Sequence, residues 1–398
     1  MAADRDYDLV LLGATGFTGG LTADYLAAHA PDDLRWAIAG RSPRRLTDVA
    51  TRLRGRGAAG AGVDTVTADS TDAASLQALT GSTRLVATTV GPYLQYGRRL
   101  VAAAAAAGTD YLDLTGEPEF VDRMWLEHHD TAVATGARLV HCCGFDSIPH
   151  DLGVLWTVQR APEGVPLTVR GFVRADGAFS GGTYASAIGA LGRARHGQSA
   201  AAERRRREPR SERRVRSLPP RPQRVPGSQR WSVPLPTIDP VIVRRSARAL
   251  DRYGPDFAYS HAVEVGNPAV AAVASLGVAG VAAAAQIPPT RRLLLRLRPA
   301  GDGPDAERRA RSWFRVRFHA TWPDGSRQGH LVTEVSGGDP GYDETAKMLA
   351  ESSLCLLRDE VPATAGQVTT AQAMGLALVD RLTSAGMRFR ILQGPTVS

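Results

Sequence analysis

The sequence predicts an α/β fold: a doubly wound parallel sheet followed by a second, α+β domain that contains an antiparallel sheet. Three observations carry this reading. Short apolar runs alternate with helical stretches between residues 7 and 150, a glycine-rich turn closes the first run, and beyond Gly153 the rhythm gives way to longer alternating strands. Strands that alternate with helices imply parallel βαβ units, because parallel neighbours need a crossover between them.

In chain order, Asp8–Leu12 reads as a strand, Leu21–His29 as a helix, Arg35–Ala39 as a strand and Pro43–Leu53 as a helix. Val63–Ala68 follows as a strand, Ala73–Leu79 as a helix, and Arg84–Val90 as an apolar strand that stops at Gly91-Pro92. Leu100–Ala107 is helical by composition, Tyr111–Leu114 a short strand, Glu119–Thr135 a long helix and Arg138–Cys142 a strand. In the second part, Thr168–Arg174 reads as a strand, SGGT at 180–183 as a turn and Tyr184–Arg195 as a helix. The arginine- and proline-rich stretch 196–236 lacks an apolar period and reads as a long loop or mobile insertion. From Trp313 to Trp322, Phe314, Val316, Phe318, Ala320 and Trp322 alternate with polar residues, which marks a half-buried strand. Pro323-Asp324-Gly325 supplies a turn, Gln328–Val335 returns as the antiparallel partner, and Tyr342–Arg358 is helical. The expected organisation is a dinucleotide-type domain over 1–153, an α+β substrate or oligomerisation domain over 154–345 with the insertion 196–236, and C-terminal helices over 346–398 that pack back on the first domain.

Composition excludes several classes. With 398 residues, 43% of them hydrophobic and 22% charged, the chain is long enough for two or three domains and too apolar for global disorder. Its three cysteines include the adjacent pair Cys142-Cys143 and cannot build a disulfide framework. No secretory signal is visible at the amino end, so a cytoplasmic location is expected. The net charge of +8 is concentrated between Glu203 and Arg216, which hold eight arginines against three glutamates. Lys347 is the only lysine in the chain, a bias of coding rather than a nucleic-acid signature, and no nucleic-acid partner is expected.

The motif that carries chemistry is Gly13-Ala-Thr-Gly-Phe-Thr-Gly19, placed after a strand and opening a helix. Gly13 permits the tight turn, Gly16 lets backbone approach a pyrophosphate, Gly19 allows close packing, and helix N–H groups favour the anion. Thr15, Phe17 and Thr18 complete this turn. The pattern predicts a Rossmann-type nucleotide site. At the end of the second strand, where an acidic residue would bond a ribose hydroxyl, Arg41 and Ser42 stand instead, which favours NADP over NAD. Asp69 ends the third strand, where it either bonds near the adenine or forms a turn. Val90-Gly91-Pro92-Tyr93 follows the fourth strand at the ligand-binding edge, and Tyr93 is a candidate proton donor or carbonyl anchor, with a packing role as the alternative. No metal site is expected, because His141, Cys142 and Cys143 lack zinc-ligand spacing. No tyrosine lies four residues before Lys347, so the Tyr-x-x-x-Lys mechanism is unavailable.

These segments together resemble a known family. GATGFTG at 13–19, AGRS at 39–42, VGPY at 90–93 with Tyr96-Gly97, GTDYLDLTGE at 108–117 and GFDSIPHDLG at 144–153 are similar to motifs of the saccharopine dehydrogenase-like oxidoreductases. Within that family the sequence most resembles the bacterial trans-acting enoyl reductases, and SGGT at 180–183 and GGDPGY at 337–342 extend the likeness. The resemblance implies NADP as cofactor and reduction of a carbon–carbon double bond on a polyketide or lipid intermediate carried by a partner synthase. It also implies that Tyr93, Ser147 or His150 supplies a donor and a proton to the enolate. His150 departs from the small residue expected there, and Ala104 replaces a frequent cysteine. A saccharopine-type C–N oxidoreductase and a non-catalytic NADP-binding sensor or scaffold are the alternatives, and a homodimer is open.

The stretch 269–287, AVAAVASLGVAGVAAAAQI, is followed by Arg291-Arg292 and LLLRLR. Its length approaches the roughly 20 residues of a bilayer span. Three readings stand: a buried or acyl-contacting helix, peripheral membrane contact through 269–298, and a true span.

Overall fold

The computed structural model describes residues 5–177, 181–297 and 303–397. Six parallel strands build the first sheet: β1 (Tyr7–Leu12), β2 (Trp36–Gly40), β3 (Asp64–Thr67), β4 (Thr83–Thr88), β5 (Asp110–Asp113) and β6 (Arg138–Val140). Along β1, Leu9 and Leu11 enter one core while Val10 and Leu12 enter the other. A strand buried on both faces must be apolar at successive positions, and each such side chain contributes roughly 1.5–3 kcal/mol.

The second sheet is assembled from β7 (Leu167–Asp176), β8 (Arg214–Ser217), β9 (Gln223–Arg224), β10 (Trp231–Pro234), β11 (Asp256–Val265), β12 (Trp313–Asp324) and β13 (Arg327–Gly337). Near the end of the chain β14 (Gly366–Val368) returns to the first sheet and β15 (Arg388–Val397) joins the second. The first sheet therefore runs β14-β6-β5-β4-β1-β2-β3, and the second β15-β13-β12-β7-β11-β10-β9 with β8 beside β11. The first order reverses between β1 and β4, which is where a doubly wound sheet opens a crevice. The second sheet is mixed rather than purely antiparallel: β7 and β8 both pair with β11 in parallel.

The hairpin β12–β13 realises the alternation read from the sequence, with Phe314, Val316, Phe318, Ala320 and Trp322 all buried. This face packs on the helix Ile148–Val158, where a Cβ on Gly153 would come within 2.5 Å of Phe318. One apolar core thus runs from a face of the first sheet through that helix to the second sheet. The two sheets are joined by packing, and the crevice lies along the seam.

Three expectations are corrected. The stretch 196–236 is not a loop: it holds most of the helix Ala194–Arg207 and the strands β8, β9 and β10. Its helix is held by charge where an apolar period is missing, with Arg204 bonded to Asp122 at 3.4 Å and Glu208 at 3.0 Å, and with its guanidinium over the Trp125 ring. Ser180 lies outside the described residues, and Gly181–Thr183, expected in a turn, begin the helix Gly181–Gly192. The stretch 269–287 is helical from Pro268 to Gln286, but only Ala271 and Ala285 are buried in it, so it is not a core helix.

Candidate active site

At the β1 turn, Gly13 has φ +98°, a conformation that favours glycine, and its N–H donates to the Ala39 carbonyl at 2.9 Å. Gly16 caps the helix Phe17–His29 and stands exposed, so its bare backbone faces the crevice. A Cβ on Gly19 would lie 2.2 Å from the Gly13 carbonyl oxygen and 2.7 Å from Thr89 Oγ1. The three glycines therefore serve the turn, the open face and the helix packing in that order. This is the geometry a pyrophosphate needs, and the cradle fits a dinucleotide.

A cavity of about 730 Å³ starts at this turn and runs along the seam to the second sheet. Of the residues expected to hold cofactor, Gly16, Phe17, Thr18, Gly19, Arg41, Gly91, Pro92 and Tyr93 line it. Gly13, Thr15, Ser42, Asp69 and Val90 do not. Ser42 instead accepts a bond from the Arg45 amide as cap of the helix Pro43–Leu53, and the Thr15 carbonyl accepts from the Arg45 guanidinium at 2.9 Å. Asp69 forms a turn: its carboxylate accepts from the Thr71 amide and hydroxyl, both at 2.8 Å, and these bonds hold it below the usual carboxylate range. Arg41, just past the end of β2, is exposed and lines the cavity.

The three candidate donors fare differently. Tyr93 borders the cavity, but its hydroxyl is turned inward, donating to the Thr88 carbonyl and accepting from the Leu114 amide, both at 3.2 Å. Burial pushes its phenol well above its ordinary value. Tyr93 thus packs and positions, and its own proton is withheld. Ser147 is buried behind the wall, at a strained φ of +152° that caps the helix Ile148–Val158, and does not line the cavity. His150 does line it, and burial lowers its imidazole to about 3, so it is neutral at physiological pH.

Other side chains that the sequence did not single out line the cavity or brace its wall. The Glu117 carboxylate accepts from the Tyr93 amide at 2.9 Å, the Leu94 amide at 3.0 Å and the Ser186 hydroxyl at 3.1 Å, which ties down the cis Gly91-Pro92 turn. Beside His150 lie Asp239, from the helix Asp239–Ala249, and His261, from β11. The Asp239 carboxylate is 3.9 Å from His150 Nε2 and 3.7 Å from His261 Nε2. Burial and the neighbouring His150 lower the His261 imidazole to about 3. Asp146 sits half-buried beside Gly116, where a Cβ on the glycine would come within 3.2 Å of its carboxylate. Burial first, and then the Asp239 charge, push the Asp146 carboxyl up to about 7. His150, Asp239 and His261 bring the donor types of a cation site within 4.8 Å of one another. The Thr237 hydroxyl engages His261 Nε2 at 2.8 Å, while His150 Nδ1, Asp239 Oδ1 and His261 Nδ1 are buried without a hydrogen-bond partner among the described residues. His141, Cys142 and Cys143 lie buried behind this wall, with His141 Nδ1 held by Asp113 at 2.6 Å and both thiols pushed up by burial.

A doubly wound sheet with a glycine turn shaped for a pyrophosphate, an arginine just past the end of its second strand and titratable groups facing the crevice defines an NADP-dependent oxidoreductase. Residues 9–140 match the family model of the saccharopine dehydrogenase NADP-binding domain. A relative from Mycobacterium tuberculosis strain H37Rv, grouped by name with the trans-acting enoyl reductases, is 40% identical, with 97% of each chain covered. The trans-acting enoyl reductases of Mycobacterium ulcerans and Mycobacterium leprae are both 36% identical, covering 97% and 96% of this chain and 98% and 97% of theirs. Among solved structures, the apo saccharopine dehydrogenase of Saccharomyces cerevisiae shares the fold, with a TM-score of 0.56 at 13% identity over 98% of this chain and 100% of its own. The chain belongs to the trans-acting enoyl reductase family of saccharopine dehydrogenase-like oxidoreductases.

Proposed function

We propose that this chain reduces the carbon–carbon double bond of an α,β-unsaturated acyl thioester presented by a carrier synthase. The observation that carries the reading is the chemistry of the cavity wall. Beyond the cofactor turn the wall is formed by Leu114, Phe145, Val173, Leu235 and Val263, with Asp146 and Asp239 as its carboxyl groups. Among the described residues lining the cavity, Arg41 is the only arginine, and it lies at the cofactor end. A saccharopine-like substrate would bring several carboxylates to a wall that offers acids instead of cations. A neutral acyl chain meets no such repulsion.

Gly16, Thr18 and Gly19 would hold the pyrophosphate, Arg41 the additional phosphate, and the Gly91-Pro92 backbone would border the nicotinamide. NADPH, when bound, supplies a hydride to the β-carbon. Asp146 then gives a proton to the α-carbon, and the raised affinity of its carboxyl keeps that proton available near neutral pH. His150 and His261, both neutral, offer hydrogen bonds toward the thioester oxygen without adding a competing charge. Tyr93 and Glu117 keep the turn under the reacting atoms in place.

Two measurements test this. Purified protein should oxidise NADPH on addition of enoyl thioesters; binding without turnover across a panel of chain lengths would favour the sensor alternative. Arg41→Ala should weaken NADPH binding by about tenfold to a hundredfold and leave NADH binding nearly unchanged, because it removes one charge-assisted contact to the additional phosphate. Equal losses for both cofactors would place Arg41 elsewhere.

A further inference from the structure

The helix Pro268–Gln286 has 19 residues, and most of its apolar surface is unpartnered: Val273 is 71% and Leu276 74% exposed. The next helix, Pro288–Arg296, buries no residue, and Leu293 and Leu297 stand 61% and 70% exposed. Exposed apolar surface on this scale marks an interaction site. Between Pro268 and Leu297 the chain carries Arg291, Arg292 and Arg296 and neither aspartate nor glutamate.

We propose that these two helices dock on the surface of an anionic lipid bilayer, with the apolar side chains in the acyl boundary and the arginines at the headgroups. Apolar area flanked by uncompensated cations is complementary to that surface. A spanning arrangement is disfavoured by the way the helices are tied down. At 1.5 Å per residue the longer helix reaches about 28 Å, so its far end would have to emerge across the membrane. Instead the Gln286 amide is bonded to the Leu191 carbonyl, Arg291 donates to the Gly192 carbonyl at 3.2 Å, and the Tyr184 hydroxyl donates to the Leu294 carbonyl at 3.1 Å. The far end of the long helix and the helix that follows it both return to the same helix, Gly181–Gly192, so the pair lies along the protein and presents one face outward.

That anchoring helix also supplies Ala185 and Ser186 to the cavity wall. Docking would therefore place a wall of the cavity next to the bilayer, within reach of a lipid-like acyl chain. This last point rests on the acyl-substrate reading; the docking itself does not.

The test is flotation of the full-length protein with phosphatidylcholine vesicles, with and without phosphatidylglycerol, alongside NADPH affinity and sedimentation of the protein alone. The expected result is flotation with phosphatidylglycerol vesicles. Val273→Glu/Leu276→Glu should reduce it by about tenfold or more, and Arg292→Gln/Arg296→Gln by about fivefold per charge, both with unchanged NADPH affinity. Wild-type protein that stays unbound, or a Val273→Glu/Leu276→Glu variant that floats like wild type, would overturn the proposal. So would a dimer that these same substitutions dissolve, since the face would then belong to a second copy. Flotation with no enoyl thioester turnover would refute the acyl reading and leave the docking standing.

Discussion

Gly16→Asp should lower NADPH affinity by about a hundredfold or more while leaving the fold intact. Gly16 stands at the N-cap of the helix Phe17–His29 with φ −85° and ψ 170°, an extended conformation open to any residue. Aspartate is among the favoured N-cap residues, so the helix loses nothing. A Cβ there would meet only the Gly13 carbonyl oxygen, at 3.3 Å, against 2.2 Å for the same addition at Gly19. What changes is charge. Two like charges about 4 Å apart at a partly solvated site repel by about 4 kcal/mol, and every 1.4 kcal/mol is a factor of ten. Titration of NADPH by fluorescence, with circular dichroism as a control for folding, reads the effect. Unchanged affinity would mean that the pyrophosphate lies elsewhere.

Asp146→Asn should lower kcat by about a hundredfold to a thousandfold with NADPH affinity unchanged. Asparagine keeps the shape and the hydrogen-bonding reach but has no acid proton to give. The pH profile separates this from a structural loss. An acid must be protonated to act, so wild-type kcat should fall as pH rises through about 7, where the Asp146 carboxyl, raised by burial and by Asp239, loses its proton. In the variant that fall should disappear. A variant with full kcat, or one that keeps the wild-type profile, would move the acid to another residue.

Chain neighbourhood decided what could be read in advance. The Gly13–Gly19 turn is legible because its three glycines sit together within one strand-turn-helix unit, even though Ala39 and Thr89 from neighbouring strands also press on it. The alternation of Phe314 to Trp322 was legible for a similar reason, since a period of two survives in any half-buried strand. The helix Ala194–Arg207 escaped because Arg204, paired with Asp122 and stacked on Trp125, holds it where apolar residues would have left a pattern. The polar wall was harder still. His150, Asp239 and His261 come from two helices and a strand, with no shared motif to announce that they meet. Asp146 lies inside the GFDSIPHDLG segment, yet a sequence does not say which of its polar residues turns outward. The chain bends sharply at Ser147, with φ +152°, which leaves Asp146 at the cavity and Ser147 behind it. Glu117 was similarly hidden: its neighbours Tyr93, Leu94 and Ser186 are brought to it only by the fold.

The proposed reduction delivers a hydride from the cofactor and a proton from the protein to adjacent carbons of one acyl chain in this cavity. It is tested most directly by reducing an enoyl thioester with NADPH carrying deuterium at both C4 positions, in ordinary water, and locating the label by NMR. One deuterium at the β-carbon, with the new α-hydrogen drawn from solvent, is the predicted result. Deuterium at the α-carbon, or a product without label, would contradict it.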